Sequence, residues 1–408
     1  MSKLIINGGR PLSGSITVSG SKNAALPILF ACILTDGVSR IENLPDIGDV
    51  RAALKILCSF GAKIWQSDNA TYVDCTELSY VTADPSLISS IRASTYLIGA
   101  CLGRFGKCEI LPYGGCNFSS RPIDMHLAAC RALGAEISGN LITANRLVGG
   151  NVKFDKPSVG ATVNAILLAS SAVGETTVIG AAKEPHIDSL IEFLISCGIN
   201  ILRDGDMIHI NGGRPHGGNI RIIGDMIEAG SYLAAGIISG GGVRVCGCPI
   251  RDMGSVLDAF SRLGAEIDLT DTAAEAKAIF SSSHLQITAL PYPGFPTDLQ
   301  PIFAPLMARL SGGEICDLVW RERFGYLDEL SMFGVSSALY GNTATISTSY
   351  LHSASVFAPD LRGGMACVLA ALRAEGKSEI HSAEKILRGY ENIVNKLCAL
   401  GADIIIEK

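Results

Sequence analysis

Residues 113–126 read YGGCNFSSRPIDMH, which places a cysteine behind two glycines and, five residues on, an Arg-Pro-x-Asp-x-His string. Cys116 is one of thirteen cysteines, and most buried cysteines are simply small apolar fillers. The Gly-Gly turn and the string that follows favour a thiol placed for chemistry, since a nearby cation lowers a thiol's pKa and makes it reactive. A second set of residues invites the same question. Lys22 in SGSKNAALP, Arg92 in ISSIRASTYLIG, Arg121 after the Cys116 turn, Lys156 in DKPSVGA, Arg323 in RERFGY, Arg362 in PDLRGG and Arg388 in LRGYE mostly stand at or just before an apolar segment. A helix N-terminus with a lysine or arginine beside it is a natural anion site. Singly, each cation could be a local salt bridge or cap; seven on equivalent positions of a repeat point to a cationic cleft for an anionic ligand.

Composition removes several other chemistries. The cysteines show no CxxC spacing and the seven histidines no HxxxH, so no zinc site is expected. SGSKNA lacks the GxxxxGK[ST] spacing of a phosphate-binding loop, and no GxGxxG follows a strand. A net charge of −6 argues against nucleic-acid binding. Apolar residues make up 48% of the 408, but the longest strongly apolar run, residues 24–34, contains a proline and falls short of the about 20 residues that span a bilayer. The N-terminal residues lack the apolar core of a signal peptide. The expectation is a cytoplasmic protein without membrane insertion, with reduced thiols.

The elements that must position these residues repeat. Six segments, SFGAKI, ALGAEI, SCGINI, RLGAEI, MFGVSS and ALGADI, end an amphipathic pattern on a glycine and enter a short strand. Glycine just past a helix end supplies the left-handed conformation that stops it, and the alternation after it suits a strand. The glycines, Gly61, Gly134, Gly198, Gly264, Gly334 and Gly401, recur every 64 to 73 residues. A second, out-of-phase series of helices is apolar nearly all round and must be buried. Six such units predict two three-unit domains with a ligand-binding cleft between them: residues 21–224, carrying the Cys116 loop, and residues 1–20 plus 225–408. The leading segment, residues 3–20, is expected to pair with the last unit.

Together SGSKNAALPILFA, IRAS, GGCxxxxRPIDMH, DKPSVGATV, KEPHI, FPTDLQ, RF, DLRGG and RGYE resemble the enolpyruvyl transferases over the whole chain, most closely the branch whose acceptor is UDP-N-acetylglucosamine. The Cys116 loop separates that branch from the one acting on shikimate 3-phosphate. The resemblance implies an α/β (α+β) fold, a two-domain inside-out barrel with three βαβαββ repeats per domain, buried helices and outer sheets. It implies transfer from phosphoenolpyruvate to a uridine sugar nucleotide with release of phosphate, and no metal or other cofactor. Lys22, Arg121 and Arg388 would hold the phosphate, and Arg323 and Arg362 the carboxylate. Cys116 would protonate the methylene carbon and Asp298 would take the hydroxyl proton. Asn23, Arg92, Arg121, Pro122, Ile123, Asp124, Met125, Lys156, Pro157, Ser158, Val159, Gly160, Asp298 and Val319 would contact the nucleotide, His126 its uridine side, with Glu184 and Asp360 supporting the cleft.

Bland alternatives stay open at two of these positions. Asp298 after Pro-Thr could cap the helix that follows, and His126 could be a satisfied core histidine. The chain also departs from the family's usual pattern at Asn117-Phe118-Ser119, at Glu322 beside Arg323, at Leu387 before RGYE, and at Met226 near the domain crossing. These departures leave room for a paralogue with another uridine-nucleotide acceptor, or for a non-catalytic relative in which Glu322 neutralises Arg323.

Overall fold

A computed structural model describes residues 2–82, 84–114, 122–278 and 284–407. These divide into two compact units, one built from residues 2–19 and 224–407 and the other from residues 20–114 and 122–223. Each unit holds three buried helices. In the second-named unit they are Lys22–Ala31, Leu97–Phe105 and Val159–Ser171, the middle one lying against both others. In the first they are Met226–Ser239, Gln300–Leu310 and Leu361–Arg373, each packed on the other two. Such helices have no polar face because no face meets water. Close approach needs small residues: a Cβ on Gly99 would stand 2.9 Å from Leu167 Cβ of the neighbouring helix.

The amphipathic helices form the other series: Gly48–Ser59, Asp124–Ala132, Pro185–Ser196, Gly254–Arg262, Tyr326–Ser331 and Ile393–Ala399. Every one is followed by its repeat glycine, and the six glycines have φ between 88° and 101°. A side chain there would meet the left-handed penalty, so the recurring glycine in the sequence is a helix stop in the structure.

Each repeat contributes one sheet. In the third, Asn151–Lys153 runs parallel to Glu175–Ile179, with the buried helix as crossover. Met207–Asn211 pairs antiparallel with the latter, and Asn200–Asp204 completes the edge. Three repeats borrow a strand. Asn219–Arg221 supplies the parallel partner of Val38–Glu42 in the first repeat, and Ser13–Thr17 that of Gly242–Cys246 in the fourth. Lys3–Gly8 lies between Gly376–His381 and Asp403–Glu407 in the sixth. The leading segment therefore pairs with the last repeat only over its first strand; its second goes to the fourth. The second repeat has three strands among the described residues, and no described helix is long and apolar enough to cross a membrane.

Ser19 and Asp225, where the chain leaves and re-enters the unit of residues 2–19 and 224–407, are tied to one buried cluster. Glu228, 2% exposed on the Met226–Ser239 helix, accepts the Ser19 N–H at 3.0 Å and pairs with Lys396, whose Nζ also donates to Ser19 Oγ at 2.7 Å. The Asp225 N–H donates to the Ser19 carbonyl at 2.9 Å. Burial pushes the Glu228 carboxyl up to about 7, with Lys396 and the Ser19 N–H opposing. A carboxyl that holds its proton more tightly folded than unfolded stabilises fully below its unfolded value near 4.5, and that contribution is lost as the pH rises through about 7. In denaturant titrations Glu228→Gln should therefore gain on the wild type between pH 5 and pH 8, by on the order of 2 kcal/mol. A pH-independent difference would contradict the assignment.

Candidate active site

In the unit of residues 20–114 and 122–223, the buried helices open on polar residues. Ser21 caps Lys22–Ala31, its Oγ accepting the Ala24 N–H at 3.4 Å, and Lys22 and Asn23 fill the first turn. Lys22 Nζ lies 3.5 Å from Asp49 Oδ2 on the adjoining amphipathic helix. Ser158 caps Val159–Ser171 in the same way through the Ala161 N–H. Lys156 and Pro157 are exposed just ahead of it, and Val159 and Gly160 are half-buried. Arg92 opens the 3-10 turn Arg92–Tyr96 that feeds Leu97–Phe105. Glu184 stands immediately before Pro185–Ser196. The backbone leading to it is held by the Thr162 hydroxyl, which accepts the Ala182 N–H at 3.0 Å. A helix start with a lysine beside it suits a phosphorylated ligand.

Pro122 and Asp124 are exposed, Ile123 and Met125 half-buried, and His126 only 5% exposed. His126 belongs to a network centred on Asn164. The Gly99 N–H donates to Asn164 Oδ1 at 2.6 Å, which fixes the amide's orientation. Asn164 Nδ2 then donates to the Thr95 carbonyl at 3.1 Å and to His126 Nδ1 at 2.7 Å. An imidazole that accepts at Nδ1 carries its proton on Nε2, and that edge faces Gly160, where a Cβ would stand 2.9 Å from Cε1. Burial first, then Arg92, lowers the His126 pKa to about 4, so the ring is neutral at ordinary pH. The network joins the Arg92 turn, the Asp124–Ala132 helix and the Ser158–Gly160 turn.

The unit of residues 2–19 and 224–407 carries the second cluster. The Gln300–Leu310 helix opens at Leu299 without a side-chain cap. The carboxylate of Asp298 goes instead to two arginines: Oδ1 lies 2.7 Å from Arg323 Nη1, and Oδ2 lies 3.0 Å from Arg362 Nη2 and 3.3 Å from its Nε. Both guanidinium side chains are buried, at 4% and 2% residue exposure. Burial is the largest influence on Arg362 and opposes its charge, but Asp298, Tyr390 and Asp225 together outweigh it and hold the arginine pKa above its ordinary value. Asp360 caps Leu361–Arg373, accepting the Arg362 and Gly363 N–H groups at 2.8 and 2.9 Å. Val319 donates its N–H to buried Asp317, whose other oxygen accepts the Thr297 hydroxyl at 2.6 Å. Arg388 is half-buried at the end of Glu384–Leu387. Glu322 is exposed.

Most residues singled out in the sequence thus stand at helix starts. Cys116 and Arg121 lie outside the described residues. The sequence reading passed over Asn164, Thr95, Asp49, Gln300 and Asp317. Asn164 and Gln300 could have been found as polar residues inside otherwise apolar helices.

Six repeats around buried helices, with lysines and arginines near the helix starts, are the frame in which the chain meets its relatives, the carboxyvinyl transferases. The chain belongs to the EPSP synthase (3-phosphoshikimate 1-carboxyvinyltransferase) family, whose model matches residues 6–397. Within it, the chain is 42% identical to the UDP-N-acetylglucosamine 1-carboxyvinyltransferase 2 of Clostridium acetobutylicum, over 100% of both chains. It is 39% identical to the enzyme of that name from Staphylococcus aureus, over 98% of this chain and 97% of the relative. Among solved structures, the enolpyruvyl transferase NikO from Streptomyces tendae matches with a TM-score of 0.89 at 25% identity, covering 100% of this chain and 99% of its own. An EPSP synthase from Acinetobacter baumannii shares the fold, with a TM-score of 0.75 at 18% identity over 100% of both chains.

The network around Asn164 makes two measurable demands. In an NMR titration of the seven imidazoles, the His126 ring should stay neutral down to about pH 5. Its depressed pKa stabilises the fold above the usual histidine value near 6.5 and is lost as the pH falls through about 4. Asn164→Leu keeps the volume but strips partners from Gly99, Thr95 and His126, and should cost about 3 kcal/mol in urea unfolding at neutral pH.

Proposed function

We propose that this protein transfers the enolpyruvyl group of phosphoenolpyruvate to the 3′-hydroxyl of UDP-N-acetylglucosamine, releasing phosphate, as a cytoplasmic step in making peptidoglycan precursors. The observation that carries this reading is the pair of buried arginines, Arg323 and Arg362, converging on one carboxylate position in a chain 42% identical end to end to an enzyme named for this reaction.

The substrate's charge calls for fixed cations. Lys22, Arg121 and Arg388 take the phosphate, and Arg323 and Arg362 take the carboxylate. The hydroxyl oxygen attacks C2 of phosphoenolpyruvate while its proton passes to Asp298. The Cys116 thiol gives its proton to C3, forming a methyl group and a tetrahedral adduct. In the elimination, a methyl proton returns to the Cys116 thiolate. Phosphate departs with the electron pair of the C2–O bond and takes the proton held by Asp298. The nucleotide is held by Asn23, Arg92, Arg121 to Met125, Lys156 to Gly160, Asp298 and Val319. His126 backs the Ser158–Gly160 turn, Asp360 caps the Leu361–Arg373 helix, and Glu184 supports the cleft ahead of Pro185–Ser196.

A second reading keeps the reaction and changes the acceptor to another uridine nucleotide. The Asn117-Phe118-Ser119 sequence after the cysteine favours it, because that loop is expected to close over the ligand.

Phosphate release measured across uridine sugars decides between them: the first reading expects release only with phosphoenolpyruvate and UDP-N-acetylglucosamine together. Cys116→Ala should lower the rate about 10²–10⁴-fold, the usual worth of a general acid; an unchanged rate would remove that role. An epoxide phosphonate shaped like phosphoenolpyruvate should add once to the wild type and not to Cys116→Ala, as read by intact-protein mass spectrometry.

A further inference from the structure

The arrangement around Asp298 contains more than a base and two anchors. Two buried guanidiniums converge on one carboxylate, that of Asp298. The nearby acids lend their charge from a distance while their oxygens hold other groups. Asp360 accepts the N–H groups of Arg362 and Gly363, and Asp225 those of Ile227 and Glu228. Asp317 accepts from Val319, Trp320 and Thr297. Arg362 Nη1 is buried and makes no hydrogen bond among the described residues. A guanidinium has five donors in a rigid fork, and one left without an acceptor in a dry place is costly.

The arginines are also the better-fixed partners. Gln300 Nε2 donates to the Arg323 carbonyl at 3.0 Å, and Gln300 Oε1 accepts the Tyr326 hydroxyl at 2.6 Å. The Arg362 guanidinium lies 5.5 Å from the centre of the Tyr390 ring, whose hydroxyl is 2.8 Å from Ser231 Oγ. Asp298 sits in the short turn before the helix, with its side chain 26% exposed against 5% and 2% for the two arginines. If one member of the cluster moves, the packing selects Asp298.

We propose that Asp298 is a resident stand-in for the substrate's carboxylate: an incoming small carboxylate seats on Arg323 and Arg362, takes up the unused Arg362 donor and displaces Asp298, whose oxygens are then free to face the acceptor hydroxyl. The exchange swaps one ion pair for another and leaves both buried cations compensated throughout. It couples occupancy to activation, since the base is engaged until the carboxylate substrate is seated. The inference rests on the transfer reading above for the identity of the ligand.

Binding of phosphoenolpyruvate alone to the full chain tests it, by calorimetry on the wild type, Asp298→Asn and Asp298→Ala, with inorganic phosphate as the carboxylate-free probe. Removing the internal competitor should tighten phosphoenolpyruvate binding about tenfold while phosphate affinity moves less than twofold. The variants remove the carboxylate that both buried cations share, so their thermal midpoints should fall and recover further on adding phosphoenolpyruvate than the wild type's rises. Equal or weaker phosphoenolpyruvate binding by folded variants overturns the displacement. An equal gain for inorganic phosphate also overturns it, because charge removal alone would explain both. If the wild type releases phosphate but the variants show no gain, only the displacement falls. If the wild type binds no phosphoenolpyruvate, the transfer reading falls with it.

Discussion

A guanidinium taken out of water must be given an anion, and two of them side by side must be given one in a fixed place. Arg323 and Arg362 meet that requirement through Asp298, and much of their unit can be understood as what holds this arrangement. Asp360 starts the Leu361–Arg373 helix so that Arg362 falls in its first turn. Gln300, fully buried, braces the backbone of Arg323 and is itself braced by Tyr326. A polar network buried this deeply is stable only when its members are satisfied. The donor left over on Arg362 is therefore informative rather than incidental.

The repeat makes such arrangements possible. A helix buried on all sides can expose polar atoms only at its ends, so a fold made of buried helices concentrates its chemistry at their starts. The two units dress those starts differently. Ser21 and Ser158 cap with neutral hydroxyls beside Lys22 and Lys156. Asp225 and Asp360 cap with carboxylates. One unit thus starts its helices with neutral caps beside lysines; the other starts two of its buried helices with carboxylates and gathers two arginines on Asp298.

The departures from the family pattern look milder in three dimensions than in one. Glu322 follows Arg321 at the surface while Arg323 points inward, and the carboxylate facing Arg323 is Asp298. Leu387 and Met226 are partly buried and pack against the core of their unit, where an apolar side chain carries no desolvation cost. The Asn117-Phe118-Ser119 change falls in the loop beyond the described residues, so the acceptor question rests on assay rather than on packing.

Local rules settled much of this protein in advance. Glycines at 64 to 73-residue intervals announced six helix stops, and the all-round apolar segments announced six buried helices, because left-handed φ and burial each act on a few adjacent residues. The cations at helix starts were legible for the same reason. What the chain order concealed was pairing across distance. Lys3–Gly8 completes the sixth repeat while Ser13–Thr17 completes the fourth, a choice made by which sheet edge is open after the chain returns. Asp298 looked as fit to cap a helix as to act as a base. Only packing brings Arg323, 25 residues on, and Arg362, 64 residues on, to its two oxygens. His126 was equally ambiguous until Asn164, from another repeat, took its Nδ1. Helix ends are written in neighbouring residues, whereas the partner of a buried charge is decided by whichever side chains the core brings within reach.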